Sequence, residues 1–202
     1  MDFFKKKEKK ADDIELSSHQ RFVLDVHDLV YILAVVVVVY LLFFRVVSVV
    51  GDSMFDTLVD GDRVVVVSNL IYRQPKAGDI VIASKKSFRD GECIVKRIIA
   101  TEGQEVDIDF NTGVVSVDGV ALEEEYTSTN ATNFEGVTFP HVVAEGCVFV
   151  MGDNRIISRD SRSPDIGDID VRQIMGKVVF LLFPGNDGGT VTMDFSRIGV
   201  IG

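Results

Sequence analysis

An uncharged apolar stretch from Leu29 to Phe44 constrains the fold of this 202-residue chain more than any other feature of its sequence. The stretch has no glycine or proline, and as a helix rising about 1.5 Å per residue it would span about 24 Å of a hydrocarbon core roughly 30 Å thick. Extension to Val50 adds one charge, Arg45, whose long side chain can reach the membrane interface. The sequence therefore predicts a transmembrane anchor over residues 29–50.

The distribution of basic residues predicts the orientation of this anchor. Lys5–Lys10 holds the only dense basic cluster and precedes the uncharged stretch, whereas Arg45 is the one basic residue immediately after Phe44, where that stretch ends. By the positive-inside rule, the N-terminus is then cytoplasmic and the chain beyond the anchor is extracytoplasmic. Two alternatives remain open at this stage, a cleaved signal peptide and a buried helix or strand pair of a soluble protein. The polar leader, residues 1–28, is long for a signal peptide.

Composition argues against several classes of function. The net charge of -10 and the isoelectric point near 4.7 argue against nucleic-acid binding, which needs a clustered excess of lysine and arginine. Cys93 and Cys147 are too few for a disulfide scaffold and lack the CxxC spacing of zinc sites. Their positions in the predicted strands do not oppose each other, so we expect free thiols. No metal or other cofactor is expected.

Beyond Val50 the sequence consists of short β-branched runs separated by turn residues, without a long helical periodicity. This pattern predicts a mostly β domain over residues 51–185, antiparallel or mixed and barrel-like. Residues 121–146 are expected to form a long surface excursion, and residues 186–202 a C-terminal tail. The strand candidates are RVVVVS, DIVIAS, CIVKRII, VVSV, VFVM and GKVVFLLF.

Three places in this domain could carry chemistry. Ser53 lies on a turn between Gly51-Asp52 and Met54, Lys96 lies among aliphatic residues of a predicted strand, and residues 152–162 (GDNRIISRDSR) mix acidic residues, arginines and serines. Each has an ordinary structural interpretation as well, namely a turn serine, an edge lysine and a solvated loop. The polar segment also has the composition of a network of charge-assisted hydrogen bonds. Their occurrence together makes a catalytic interpretation worth considering.

In sequence order, these stretches resemble the motifs of the type I signal peptidase family. SMFDTL resembles its nucleophile motif, GDIVI the following strand, IVKRII its general-base motif, MGDNRIISRDSR its closing polar motif and GKVVFLLFP its last strand. The resemblance covers about Val49–Pro184, with Asp56 where the family has proline and Ile156 where it often has asparagine. It implies a signal-peptidase-like β-barrel or sheet with one N-terminal transmembrane helix. It also implies a membrane-bound serine endopeptidase.

The resemblance implies that Ser53 is the nucleophile and Lys96 the general base. A lysine accepts a proton only when it is neutral, and burial among aliphatic side chains lowers a lysine pKa toward the working pH. A serine–histidine–aspartate triad is disfavoured because His141 is the only histidine beyond Ser53. The backbone N–H of Ser53 would supply one oxyanion donor, whereas Gly51 stands where some relatives have a second, hydroxyl donor.

The closing motif supplies the supporting residues that the resemblance implies. Ser158 is expected to orient the lysine ammonium by a hydrogen bond. Two ion pairs are expected beside the dyad that Ser53 and Lys96 would form. One joins Asp160 to Arg162, and the other joins Asp153 to Arg97.

The implied substrates are the signal peptides of exported preproteins, bound as extended segments beside a strand. Small residues at -1 and -3 of the cleavage site would enter shallow apolar pockets, although ordinary core packing explains any single lining residue equally well. Membrane lipid and the nearby secretion machinery are the other expected partners. The pocket candidates are Val49, Met54, Leu58, Ile94 and Val95.

Two other functions fit parts of this sequence. A self-cleaving serine–lysine repressor-type protease would need a soluble chain with a DNA-binding helical domain in place of the anchor. A catalytically inactive, membrane-anchored β-domain that acts as a binding module would have no need of both Ser53 and Lys96. The expected function is therefore cleavage of signal peptides at the outer face of the membrane.

Overall fold

The computed structural model describes residues 17–185 and 194–201, except for the side chain of Arg89. Within those residues the chain forms one α-helix and twelve β-strands. It separates into two compact units, a helical one that ends at Leu41 and a β unit that begins at Leu42. The fold class predicted from the sequence, mostly β with one N-terminal apolar helix, is confirmed by these elements.

The strands of the β unit include all six candidates from the sequence. Short 3-10 turns occur at Arg89–Gly91, Val171–Gln173 and Phe195–Arg197. The strands are β1 Phe44–Ser48, β2 Arg63–Ser68, β3 Ile80–Ser84, β4 Cys93–Thr101, β5 Glu105–Asp109, β6 Val114–Val117, β7 Val120–Ala121, β8 His141–Val142, β9 Cys147–Met151, β10 Ile169–Asp170, β11 Ile174–Phe183 and β12 Gly199–Val200.

Two antiparallel sheets contain these strands. The larger sheet has the order β1-β2-β11-β3-β4-β9-β10, with β12 paired to β11, and the smaller has the order β7-β6-β5-β8. Strand β11 therefore lies between β2 and β3 although it comes late in the chain. Strands β1 and β2 flank Ser53 in sequence, and β4 carries Lys96. Strand β11 therefore joins the β1-β2 pair to the β3-β4 pair.

The helix α1, Ser18–Phe43, contains most of the predicted anchor. Its N-terminus is capped reciprocally: the Ser17 hydroxyl accepts from the Gln20 N–H, and the Gln20 side chain accepts from the Ser17 N–H. None of its 26 residues is buried, and its length and apolar composition suffice to cross a membrane. At about 1.5 Å per residue it extends about 39 Å.

The boundaries of this helix correct the predicted anchor, residues 29–50. The helix ends at Phe43 because Phe44–Ser48 form β1, whose backbone groups pair with β2, so residues 44–50 are not part of a helical span. At the other end, residues 18–28 of the predicted leader are helical. Residues 1–16 lie outside the described residues.

The core of the larger sheet extends over both faces of β3. Val81 and Ala83 belong to one apolar cluster, and Ile80 and Ile82 to another. A strand covered on both faces has a continuous apolar sequence and does not alternate between apolar and polar residues. Residues 80–83 of β3, IVIA, have this pattern. A third cluster, including Phe149, packs under the smaller sheet.

The C-terminal residues differ from the predicted tail, residues 186–202. Residues 194–201 return to the sheet, where β12 pairs with β11. Arg197 also forms an ion pair with the fully buried carboxylate of Asp62, at 2.7 Å. This pairing holds the segment against the β unit because a buried carboxylate needs a cationic partner. Residues 186–193 and 202 lie outside the described residues.

The two cysteines occupy opposite ends of a strand pair. Cys93 begins β4 and Cys147 begins β9, and these strands are antiparallel, with Thr101 opposite Val148. The eight-residue separation along β4 corresponds to about 26 Å, far beyond disulfide reach. The sulfurs are unbonded in the structure, and the Cys93 thiol lies 3.5 Å from the Met175 sulfur.

Candidate active site

Ser53 and Lys96 meet in the β unit although 43 residues separate them in sequence. Ser53 lies on the turn that follows β1, and Lys96 lies in the middle of β4, opposite Val81 of β3. The Nζ of Lys96 donates a hydrogen bond of 2.7 Å to the Oγ of Ser53 and a second, of 3.0 Å, to the carbonyl of Val95. The two residues singled out from sequence are therefore in direct contact.

The surroundings of Lys96 favour its neutral form. The residue is 4% exposed, and burial lowers the pKa of its ammonium from 10.5 to about 8. The nearby carboxylates of Asp160 and Asp153 oppose this shift without cancelling it. A lysine in this state can accept a proton from a hydroxyl near neutral pH.

Asp153 connects the segments that carry Ser53 and Lys96. Its carboxylate accepts two hydrogen bonds from the Arg97 guanidinium, at 2.9 and 2.8 Å, as the resemblance implied. It also accepts a hydrogen bond of 2.5 Å from the hydroxyl of Thr57, four residues after Ser53. Next to it, the N–H of Asn154 donates to the Ser53 carbonyl at 3.1 Å. Both partners of the ion pair are buried, so its geometry is fixed by paired hydrogen bonds.

The second expected ion pair, between Asp160 and Arg162, is also present. The Arg162 guanidinium donates to both carboxylate oxygens of Asp160, at 2.8 and 2.9 Å, and neither side chain is exposed. Asp160 also accepts a hydrogen bond of 3.0 Å from the N–H of Gly152. The carboxylate thus fixes the backbone next to Asp153.

The hydrogen bond expected from Ser158 to the lysine is absent. The Ser158 hydroxyl is buried and has no hydrogen-bond partner among the described residues. The Lys96 ammonium is directed instead to Ser53 and to the Val95 carbonyl. Ser158 is nevertheless close to the dyad, because its Oγ and the Ser53 carbonyl both lie against Gly152.

A cavity of about 500 Å³ opens beside the dyad. Four of the five predicted pocket residues line it: Val49, Met54, Ile94 and Val95. Leu58 does not, because its N–H bonds back to the Met54 carbonyl in a helical turn and its side chain is fully buried in the core. The sequence interpretation missed Ile82, Phe88, Ile157 and Arg159, which also line the cavity.

The predicted surface excursion, residues 121–146, supplies further contacts that sequence reasoning missed. The Thr127 hydroxyl donates to the Asp153 carbonyl at 2.6 Å, and the Thr129 hydroxyl accepts from the Arg155 N–H at 2.7 Å. The only histidine of the β unit, His141, bonds to Asp168 at 2.8 Å. Glu124 and Asn133 of the excursion also contact the closing polar segment, through the Arg155 guanidinium and the Ile156 carbonyl, whereas His141 does not.

The chain is similar in sequence to known proteins. A family model described as "Signal peptidase, peptidase S26" matches residues 23–183. A probable signal peptidase I-1 from Synechocystis sp. is 36% identical over 147 residues, 69% of this chain and 71% of the relative. Signal peptidase I T of Bacillus subtilis is 37% identical over 145 residues, 68% of this chain and 72% of the relative.

A crystal structure of a signal peptidase I from Enterococcus faecalis is similar to part of the chain. It shares 29% sequence identity, covers 52% of this chain and 97% of its own, and has a TM-score of 0.43. The family match covers most of the chain, from α1 to the end of β11, and the curated relatives span more than two thirds of it. The chain belongs to the signal peptidase family, peptidase S26.

Proposed function

We propose that this signal peptidase cleaves the signal peptides of exported preproteins with Ser53 as its nucleophile and Lys96 as its general base. The observation that carries the proposal is the 2.7 Å contact between Lys96 Nζ and Ser53 Oγ, made by a lysine whose pKa is lowered by burial to about 8. Asp153, Arg97, Asp160 and Arg162 support the dyad by holding its backbone.

In the first step, neutral Lys96 takes the proton of Ser53 as the serine oxygen attacks the scissile carbonyl carbon. The tetrahedral intermediate collapses when the lysine ammonium returns this proton to the leaving amine, which releases the mature protein. A water molecule then attacks the acyl ester, with Lys96 again accepting the proton. Protonation of the Ser53 oxygen releases the signal peptide and restores the dyad.

The developing oxyanion needs donors on the side of Ser53 away from the lysine. We assign one to the backbone N–H of Ser53. Gly51, two residues earlier, has no side chain to offer, and its N–H already donates to Asp60 at 2.7 Å. A second donor would therefore come from another backbone group or from water.

Substrate binding is assigned to the cavity beside the dyad. Its walls are the segment around Val49 and the first half of β4, so an extended peptide could lie beside Ile94 and Val95. The apolar lining suits small residues at -1 and -3 of the cleavage site. In this assignment Met54 lines the pocket, whereas Leu58 supports the turn from the core.

The helix α1 serves in this proposal as an anchor with the N-terminus in the cytoplasm and the β unit on the outer side. The lysine cluster at Lys5–Lys10 supports this orientation. Signal peptides are themselves apolar segments, so an anchored enzyme would meet them at high local concentration in the same bilayer. Membrane lipid and the secretion machinery would then be neighbours of the enzyme.

The test uses the full chain in detergent with a preprotein substrate. Ser53→Ala and Lys96→Arg should each abolish processing, because alanine has no nucleophile and a guanidinium keeps its proton. Ser87→Ala and Lys86→Arg change the same residue types at exposed positions and should process normally. A serine-directed covalent probe should label the wild type but not Ser53→Ala. Processing by Ser53→Ala, or absence of labelling, would contradict the proposal and favour the inactive binding module.

A further inference from the structure

The aromatic ring of Tyr126 lies against the guanidinium group of Arg97, with 3.9 Å between the guanidinium carbon and the ring centroid. Tyr126 belongs to the irregular excursion between β7 and β8, far from the catalytic segments in sequence. At this distance a guanidinium stacks on an aromatic face, and the attraction is strongest where water is excluded. Arg97 is 4% exposed, so the contact is in such a place.

The edges of the Arg97 guanidinium are already used by other partners. Its nitrogens donate to Asp153, to the Gly78 carbonyl at 2.9 Å and to the Thr57 hydroxyl at 3.4 Å. These bonds lie in the plane of the group, whereas the Tyr126 ring covers its face. The in-plane hydrogen bonds resist movement of the guanidinium perpendicular to its plane least. The Tyr126 ring therefore limits that perpendicular movement.

Tyr126 is itself fixed to the closing polar segment. Its hydroxyl donates to Glu124 at 2.7 Å, and Glu124 accepts two hydrogen bonds, of 2.8 and 2.5 Å, from the buried guanidinium of Arg155. The Arg155 Nε in turn donates to the carbonyl of Gly152 at 3.0 Å. Burial raises the pKa of the Tyr126 hydroxyl, which keeps it protonated as a donor. The ring is thus held between β4 and the loop that contains Asp153.

We infer that Tyr126 is a positioning residue, whose ring presses Arg97 onto Asp153 and so fixes the distance between Ser53 and Lys96. Arg97 follows Lys96 in β4, and Asp153 holds Thr57 in the Ser53 segment. Misplacement of reacting groups by about 1 Å can cost about 100-fold in rate. The inference rests on the proposed function of the dyad, to which it adds a residue that acts through Arg97.

The experiment compares Tyr126→Phe, Tyr126→Leu and Tyr126→Met in the full chain, with kcat and KM measured on a peptide substrate. Phenylalanine keeps the ring and should stay within about threefold of the wild-type kcat. Leucine and methionine remove the aromatic face and should lower kcat by about tenfold or more, with KM within about twofold. If Tyr126→Leu is unfolded at the assay temperature, Tyr126→Met, which fills more of the space, decides the question.

Phe110→Leu is the matched control. Phe110 makes edge-to-face contacts with Phe134 and Phe139 at centroid distances of 5.5 and 5.7 Å, so its loss should lower the melting temperature without lowering kcat. An inactive Ser53→Ala variant shows that activity depends on Ser53. In that case, wild-type kcat in both Tyr126→Leu and Tyr126→Met would overturn the inference. An equal loss in Tyr126→Phe and Tyr126→Leu would also overturn it, because the ring would then not be the cause. Activity in Ser53→Ala would instead overturn the proposed function.

Discussion

A methyl group on Gly152 would lie 2.2 Å from the Oγ of Ser158 and 2.4 Å from the carbonyl oxygen of Ser53. Both distances are far below van der Waals contact, so the closing polar segment can approach the turn that carries Ser53 only where there is no side chain. Gly152 thus fixes how closely Asp153 and Asn154 approach Ser53. The position needs glycine for space and not for an unusual backbone angle.

Gly152→Ala should therefore lower kcat/KM by about 100-fold or more, because the added methyl group would overlap both the Ser53 carbonyl and the Ser158 hydroxyl and would move the closing polar segment away from Ser53. The measurement is peptide hydrolysis together with the melting temperature. Gly199→Ala is the control, since a methyl group there meets no atom within 4 Å. Wild-type hydrolysis by Gly152→Ala would contradict the proposed assembly of the site.

The pH dependence of kcat/KM should follow the protonation of Lys96. The base must be neutral, and its pKa of about 8 lies well below the ordinary value. Below about pH 8, kcat/KM should fall by about tenfold per pH unit because the fraction of neutral lysine falls by that factor, and above it a plateau is expected. A profile without change between pH 6 and 9 would rule out a titrating lysine of this kind.

Ser158→Ala should leave the protein at least as stable as the wild type. The hydroxyl has no partner among the described residues, so its removal leaves no new unpaired group and relieves a desolvation penalty of about 1–3 kcal/mol. If the hydroxyl turns to Lys96 during turnover, as the resemblance implies, kcat should also fall. Thermal unfolding and kcat separate these effects, and an unchanged kcat would remove Ser158 from the catalytic machinery.

Alkylation of Cys93 should inactivate the enzyme. Its exposed thiol lines the cavity beside the dyad, whereas burial raises the pKa of the Cys147 thiol and slows its reaction. N-ethylmaleimide should modify Cys93 first, and activity should fall in parallel with that modification, as followed by mass spectrometry. Cys93→Ala should be active and resistant. Loss of activity at the same rate in Cys93→Ala would place the sensitive group elsewhere.

The junction of α1 and β1 predicts where the chain can be shortened. A variant that starts at Phe44 keeps β1 and should fold and hydrolyse peptides, but process membrane-inserted preproteins much more slowly. A variant that starts at Val49 loses the strand that pairs with β2, and its melting temperature should be lower by about 5 °C or more. Equal melting temperatures for the two variants would mean that β1 contributes nothing to the fold.

The parts of this structure that the sequence predicted are those that short motifs describe. A lysine among aliphatic residues indicated Lys96, and the resemblance to the family implied the pair of Arg97 and Asp153, whose contact the structure contains. The catalytic roles of Ser53 and Lys96 remain predictions. The strands were predicted because β-branched runs between turns favour them.

The features that the sequence did not predict depend on how the chain folds back on itself. Phe44–Ser48 is apolar enough to continue the anchor, and only its pairing with β2 makes it a strand. Leu58 was expected in the pocket because of its position close to Ser53 in sequence, whereas a helical turn directs it to the core. Tyr126 lies in a segment without periodicity, so no local pattern indicates its contact with Arg97.

The position of β11 has a consequence for the enzyme during its own synthesis. Because this strand lies between β2 and β3, the chain must be made as far as Phe183 before the β1-β2 pair and the β3-β4 pair share one sheet. Ser53 leaves the ribosome long before that point, yet it has no fixed lysine partner until β11 is inserted. A chain that ends before β11 therefore lacks this lysine partner, and the order of synthesis itself delays assembly of the proposed dyad until the fold is complete.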